Sequence, residues 1–334
     1  MEMFQLTRAS DVQDAVRAGA AARTAQQGAD VRFLAGGTTL IDLMKLDVER
    51  PARVIDISRL ALDRIEPQDG GGVRIGAMVR NADLANDATI KRDYAVLSQA
   101  LLSGASAQLR NMATTGGNLL QRTRCVYFRD TAAACNKREP GSGCSAIGGY
   151  NRNLAVLGTS EQCIASNPSD MNVALVALEA TVHIQGVQGT RAVPIGDFYT
   201  LPGDTPDRET VLQPGDLITH VTLPAPAQGN RSVYLKLRDR ASYEFALASA
   251  AVVATVSQGR ISHVRVALGG VGTRPWRSPE AEAALQGQAP GEQVFKAAAD
   301  AALKDARPQS ENAFKIELAR RCLVHTLKQA TQAA

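Results

Sequence analysis

Between Arg122 and Ser166 the chain loses hydrophobic periodicity. The segments on either side alternate or repeat as strands and helices do. This stretch is instead rich in Gly, Ser, Asn, Arg and Cys, with a turn cluster at Glu139-Pro140-Gly141-Ser142-Gly143. An irregular run of that length is uncommon inside a compact domain unless it is functional or held by something other than apolar packing. Four of the five cysteines, Cys125, Cys135, Cys144 and Cys163, fall inside it, and Cys322 stands alone near the C-terminus. Whatever the chain folds into must carry a long insert that its thiols are able to pin.

Thiolates bind soft metals and iron–sulfur clusters, and four of them match the one thiolate per iron that a cubane needs. The spacings are wide and contain no C-x-x-C pair, which disfavours a zinc ribbon or knuckle. Arg122, Arg124, Arg129, Lys137, Arg138 and Arg152 lie around the cysteines and would offset the charge of an anionic cluster. The plainer alternatives are four buried free thiols or a zinc site. Free cysteine is often buried, but a polar, aperiodic segment suits that poorly. Cys322 sits beside Leu318, Ala319 and Leu323 on an amphipathic stretch and reads as a small core residue. The four histidines are scattered and receive no role.

The flanks are ordinary. Asp11 opens a helix with Ser10 as its N-cap, Val31–Ala35 reads as a strand, Leu40–Lys45 as a helix and Val54–Ile57 as a strand. Val73–Ala77 alternates like a strand, Asn81–Leu84 opens a helix, and Tyr94–Ser103 is a second one. Residues 109–119 read as turn-rich. After the insert, Asn172–Ala180 is a helix capped by Ser169 or Asp170, and Thr181–Gln185 and Leu217–Leu223 are strands. Pro224–Asn230 is a linker by composition. A last lobe then combines strands at Tyr234–Arg238, Leu247–Val256 and Ile261–Leu268 with helices at Glu280–Leu285, Glu292–Ala302 and Asn312–Ala330. The resulting division is 1–57, 58–223 with the insert at 122–166, and 224–334.

Two glycine turns carry further chemistry. Ala35-Gly36-Gly37-Thr38-Thr39-Leu40 lies at a strand-to-helix junction. A diphosphate needs inward N–H groups with no Cβ in the way, which paired glycines supply. Ala113-Thr114-Thr115-Gly116-Gly117-Asn118 repeats that chemistry, and two such loops from neighbouring lobes would clamp a dinucleotide between them. Neither is a G-x-G-x-x-G or a Walker sequence, so nicotinamide and nucleoside triphosphate readings lose support. No G-x-S-x-G or H-E-x-x-H is present, and no catalytic residue is assigned. A net charge of +4 and 4% aromatic residues give no case for nucleic acid. No apolar run is long enough to span a bilayer.

Phe33–Leu40, then Thr114–Leu119, then Pro168-Ser169-Asp170 leading into Ala174–Leu178, resemble in order and separation the FAD-binding subunits of the xanthine dehydrogenase (molybdenum hydroxylase) family. Val266–Gly272 resembles that family's C-terminal domain. The resemblance covers essentially the whole chain. It implies an α+β fold: a two-lobed FAD domain of p-cresol methylhydroxylase (vanillyl-alcohol oxidase) type, then a C-terminal α+β domain of CO dehydrogenase flavoprotein type. Cysteines in the middle segment narrow it to the members with a [4Fe–4S] insertion. The spacing is closest to the PaoABC-type aldehyde oxidoreductases, with 4-hydroxybenzoyl-CoA reductase-like enzymes as the alternative.

The resemblance then implies FAD held by Arg32, Phe33, Leu34, Ala35, Gly36, Gly37, Thr38, Thr39 and Leu40, with Thr114, Gly117 and Asn118 opposite. Asp170 would cap a helix near the cofactor, Lys236 would lie by the flavin, and Tyr243 would cover the ring. Cys125, Cys135, Cys144 and Cys163 would hold the cluster. The implied assembly is a heterotrimer with a large molybdenum-cofactor subunit and a small subunit of two [2Fe–2S] clusters. Electrons would pass through this chain to an external acceptor. The N-terminus has no signal-peptide pattern, so the expected compartment is the cytoplasm, or the periplasm by co-export with a signal-bearing partner.

Overall fold

The computed structural model describes residues 1–332, and its strands form three sheets in chain order. The first sheet joins β1 (Gln5–Arg8), β2 (Val31–Leu34) and β3 (Arg53–Asp56) in the order β1-β3-β2, with both pairings parallel. Parallel neighbours need crossover connections. Helix Val12–Gly19 and helix Leu40–Lys45 lie on those crossovers.

The second sheet is antiparallel. It contains β4 (Ile65–Pro67), β5 (Val73–Gly76), β6 (Thr181–Gly186), β7 (Gly189–Pro194) and β8 (Leu217–Leu223), in the order β4-β5-β8-β6-β7. Between β5 and β6 the chain leaves the sheet to build helices and the cysteine-bearing stretch. That stretch is therefore an excursion from the middle of a sheet, with both ends fixed. Helices Ala95–Ser103 and Asp170–Ala177 share a core with this sheet, the latter buried at every position. A helix apolar on all sides belongs in a core. Each Leu or Val removed from water there contributes roughly 1.5–3 kcal/mol.

The third sheet runs β12-β11-β10-β9 and is antiparallel, with β9 (Asn230–Leu237), β10 (Ala248–Ser257), β11 (Arg260–Gly269) and β12 (Trp276–Arg277). Strand residues alternate faces, and β10 is apolar on both. Ala251 and Val253 join the core of the second unit, whereas Ala248, Ala250, Val252 and Ala254 pack with helices Glu292–Leu303 and Phe314–Thr331. Cys322 is buried in that second cluster, as a core residue should be.

Local readings differ in instructive places. Asp11, not Ser10, caps the first helix, its carboxylate accepting from the Asp14 N–H at 2.8 Å. Ser169, not Asp170, caps Asp170–Ala177. Residues 107–119 are not simple turns but two short helices, Ala107–Met112 and Thr115–Leu119, each begun by a hydroxyl cap. Caps satisfy N–H groups that apolar periodicity does not register. Within 122–166 the one helix is Val126–Arg129, a single turn.

Candidate functional site: two cavities sharing a wall

The first glycine turn meets the second directly. A Cβ on Gly36 would lie 2.0 Å from the Met112 carbonyl oxygen, and Gly37 has a left-handed φ of 75°. Glycine at these two positions lets strand β2 turn sharply against the backbone of the other loop. On the other side a Cβ at Gly117 would meet only the Thr114 hydroxyl, at 2.9 Å. The Thr114 hydroxyl is committed, accepting from the Gly117 N–H at 3.2 Å, and the Thr115 hydroxyl donates to the Val79 carbonyl. Thr39, by contrast, stands at the start of its helix with no capping bond. Of the four threonines, Thr38 and Thr39 therefore have hydroxyls best placed for an oxyanion.

These loops face each other across a cleft with about 250 Å³ of interior space. Arg32, Phe33, Ala35, Gly36, Gly37, Thr38, Thr39, Leu40, Thr114 and Gly117 all line it. The glycine cradle and the free first-turn N–H groups fit a dinucleotide diphosphate. Leu34 lies beneath Gly37 rather than on the wall. Asn118 is a brace, its side-chain oxygen accepting from the Ser169 hydroxyl at 2.8 Å.

Asp170 and Lys236 also stand apart from the cleft wall. They form a buried ion pair at 2.8 Å, and the Tyr234 hydroxyl donates to the other Asp170 oxygen at 2.5 Å. Burial, with the Asp170 charge beside it, drives the Tyr234 phenol well above its ordinary pKa. In this arrangement Lys236 fastens β9 to the helix Asp170–Ala177. Tyr243 is exposed with a φ of 55°, and the Arg240 guanidinium lies 5.7 Å from its ring centre.

The cysteines, scattered along the insert, converge. Cys125, Cys135, Cys144 and Cys163 line one small cavity, and Cys135 and Cys144 face each other in an antiparallel bridge. Burial pushes the Cys125 thiol up to about 12, with Cys135 and Cys163 adding to the shift. Burial also raises Cys163, against the pull of Lys137. Among the described residues no three His, Cys, Asp or Glu side chains are grouped to hold one metal ion. A cubane asks for a different arrangement, one thiolate at each of four irons spread around a cage. Four thiols around one cavity, with a lysine at its edge, have the chemistry to fit it.

Lys137, Cys163 and Ala165 line both the cleft and the cysteine cavity. Through Lys137 that wall continues into an ionic network on the cleft side. Glu49, 3% exposed, takes Arg32 at 2.9 Å and Arg122 at 2.6 Å. Arg122 continues to Glu209, which also receives Lys137 at 3.1 Å. Burial opposes the charge on Glu209, but Arg122 and Lys137 outweigh it and hold the carboxyl below its usual range. Neither Glu49 nor Glu209 stands out in the sequence. Their partners are 17 to 87 positions away in the chain, and no local pattern reports such pairs.

The fold and cleft together define a dinucleotide-binding protein. Residues 2–226 match the FAD binding domain in molybdopterin dehydrogenase, and residues 233–330 match the CO dehydrogenase flavoprotein C-terminal domain. The chain belongs to the FAD-binding subunits of the molybdopterin dehydrogenase family, and so is an oxidoreductase subunit that binds FAD. It is 53% identical to the aldehyde oxidoreductase FAD-binding subunit PaoB of Escherichia coli K12, over 93% of this chain and 94% of that one. It is 28% identical to the carbon monoxide dehydrogenase medium chain of Hydrogenophaga pseudoflava, over 87% of this chain and 85% of that one. A solved carbon monoxide dehydrogenase from the same organism superposes with a TM-score of 0.76 at 27% identity, covering 98% of this chain and 97% of that one. The expected FAD-binding domain followed by a C-terminal domain of CO dehydrogenase flavoprotein type is thus what the chain adopts.

Proposed function

We propose that this chain is the FAD- and [4Fe–4S]-containing electron-transfer subunit of a molybdenum-cofactor aldehyde oxidoreductase. The observation that carries the reading is the convergence of Cys125, Cys135, Cys144 and Cys163 on a cavity that shares a wall with the FAD cleft. The identity to PaoB supports the choice of aldehyde oxidation.

Flavin exchanges one or two electrons, and so connects one-electron clusters to a two-electron acceptor. The chain's own residues position and insulate. Gly36 and Gly37 give the diphosphate access to backbone N–H groups, and Thr38 and Thr39 offer hydroxyls to its oxygens. Phe33 and Leu40 exclude water from the cleft wall. The four cysteines supply thiolates, and because burial favours the protonated form of Cys125 and Cys163, cluster binding releases protons and weakens as pH falls. Substrate chemistry belongs to a large molybdenum-cofactor partner, with electrons arriving by way of a small [2Fe–2S] partner and leaving to an external acceptor. The assembly resides in the cytoplasm, or in the periplasm if a signal-bearing partner exports it.

The test is flavin, iron, sulfide and zinc analysis of protein purified without added metal. One FAD with four irons and four sulfides per chain is expected, with the iron lost in Cys135→Ser. FAD without iron or sulfide would remove the cluster. Turnover of an aldehyde by the isolated chain would overturn the division of labour between subunits.

A further inference from the structure

The ionic wall joins three parts of the chain at one point, where Gln26 and Gln27 add hydrogen bonds. Arg32 and Glu49 come from the first unit, Arg122 and Lys137 from the cysteine-bearing insert, and Glu209 from the loop before β8. Glu209 is the hinge of this chain of charges. On the cleft side it holds Arg122, whose guanidinium also lies 4.8 Å from the Phe128 ring centre inside the cysteine cluster. On the cavity side it holds Lys137, which is 7% exposed and donates to the Pro206 carbonyl at 2.8 Å. Lys137 lies two residues from Cys135 in sequence and lines the same cavity as Cys163.

We propose that Glu209 is a positioning residue that couples the two cavities, so that FAD bound in the cleft tightens the cysteine-bearing insert. Glu209, Arg122 and Lys137 all border the cleft. While water fills the cleft, the Glu209 pairs are screened on that side. A ligand that displaces the water lowers the local dielectric and strengthens each attraction. The five side chains also carry three positive charges against two negative ones, a surplus that suits an anionic diphosphate. Because Lys137 is tied to the insert, a stronger Glu209–Lys137 pair restrains the segment from Cys135 to Cys144. Coupling between sites is reciprocal, so a pinned insert also raises affinity for FAD. The inference rests on the FAD site and not on the cluster.

Hydrogen exchange by mass spectrometry on the full chain, stripped of flavin and then saturated with FAD, reads this directly. Bound flavin is verified by absorbance, and iron and sulfide are measured on the same samples. In the unaltered chain FAD slows exchange in peptides from Cys135 to Cys144 by about tenfold, within the usual range for coupled sites. Glu209→Gln abolishes the FAD-dependent difference, and Glu209→Asp, which keeps the charge, restores part of it. A merely structural role would change protection with and without FAD alike. If FAD binds the unaltered chain and leaves the insert's exchange unchanged, or if Glu209→Gln slows as much as the parent, the proposal fails. Absence of iron would remove the cluster while this readout still decides the coupling.

Discussion

At the level of single residues, close approach is the main constraint. Gly36 has the Met112 carbonyl where a side chain would be, so Gly36→Ala must push the two loops apart. The expected result is loss of bound flavin, seen as a collapse of the visible-to-ultraviolet absorbance ratio with helix content retained. Gly196 is the contrast, since a Cβ there meets nothing and Gly196→Ala should leave flavin in place. A different constraint acts on the second sheet. His183 and His220 are cross-strand partners on β6 and β8, with rings stacked 4.1 Å apart and 9° from parallel. Burial, the neighbouring imidazole and Arg74 lower His220 to about 4, and burial with Arg74 lowers His183. Both rings are therefore neutral in the fold at pH values where the unfolded chain begins to take up protons. Stability is unaffected by the pair above about pH 6.5 and declines as pH falls toward 4, because the unfolded state binds more protons in that window. A urea midpoint that drops between pH 7 and pH 5, and drops less in His220→Gln, would bear this out.

At the level of elements, how much could be read from sequence depended on whether the force was local. Helix Leu40–Lys45 and strand Leu217–Leu223 have the bounds that their patterns predict, because apolar spacing and burial agree there. Strand β7 was not legible: Gly189–Pro194 is an exposed edge with no apolar alternation, and only pairing with β6 makes it a strand. The glycine turns could be found because each needs a particular residue at a particular place. The wall between the cavities could not, since Glu49, Arg122 and Glu209 meet only in three dimensions. Lys236, which the resemblance puts by the flavin, has a partner that its own strand does not report, since its ammonium is paired with Asp170. The C-terminal helix holds another such surprise. Lys315 is fully buried, and its ammonium donates to the carbonyls of Asn153 at 3.1 Å, Leu154 at 2.8 Å and Gly270 at 2.6 Å. Burial brings its pKa down to about 7 while three acceptors match three N–H bonds. Lys315→Met removes three hydrogen bonds and leaves the Gly270 carbonyl without this donor, and should cost about 1–3 kcal/mol in chemical denaturation.

At the level of the whole molecule, the second and third sheets share one core. Tyr234, Ala251, Val253 and Ala267 of the third sheet are in the same cluster as Leu97, Leu101 and Val173 of the second unit. A chain ending at Leu223 would expose that surface, and large exposed apolar surfaces drive association. It should therefore aggregate or lack a cooperative thermal transition by circular dichroism, whereas a soluble, cooperatively melting fragment would show that the units are separable. The clamp formed by Lys315 has a consequence in time as well as in space. Its acceptors at Asn153 and Leu154 lie 162 and 161 positions earlier in the chain. On the ribosome the cysteines emerge long before the lysine that fastens the end of their loop. The nascent insert therefore has its thiols in place but not its lock, and the cysteine cavity can take its finished form only after Lys315 has been made.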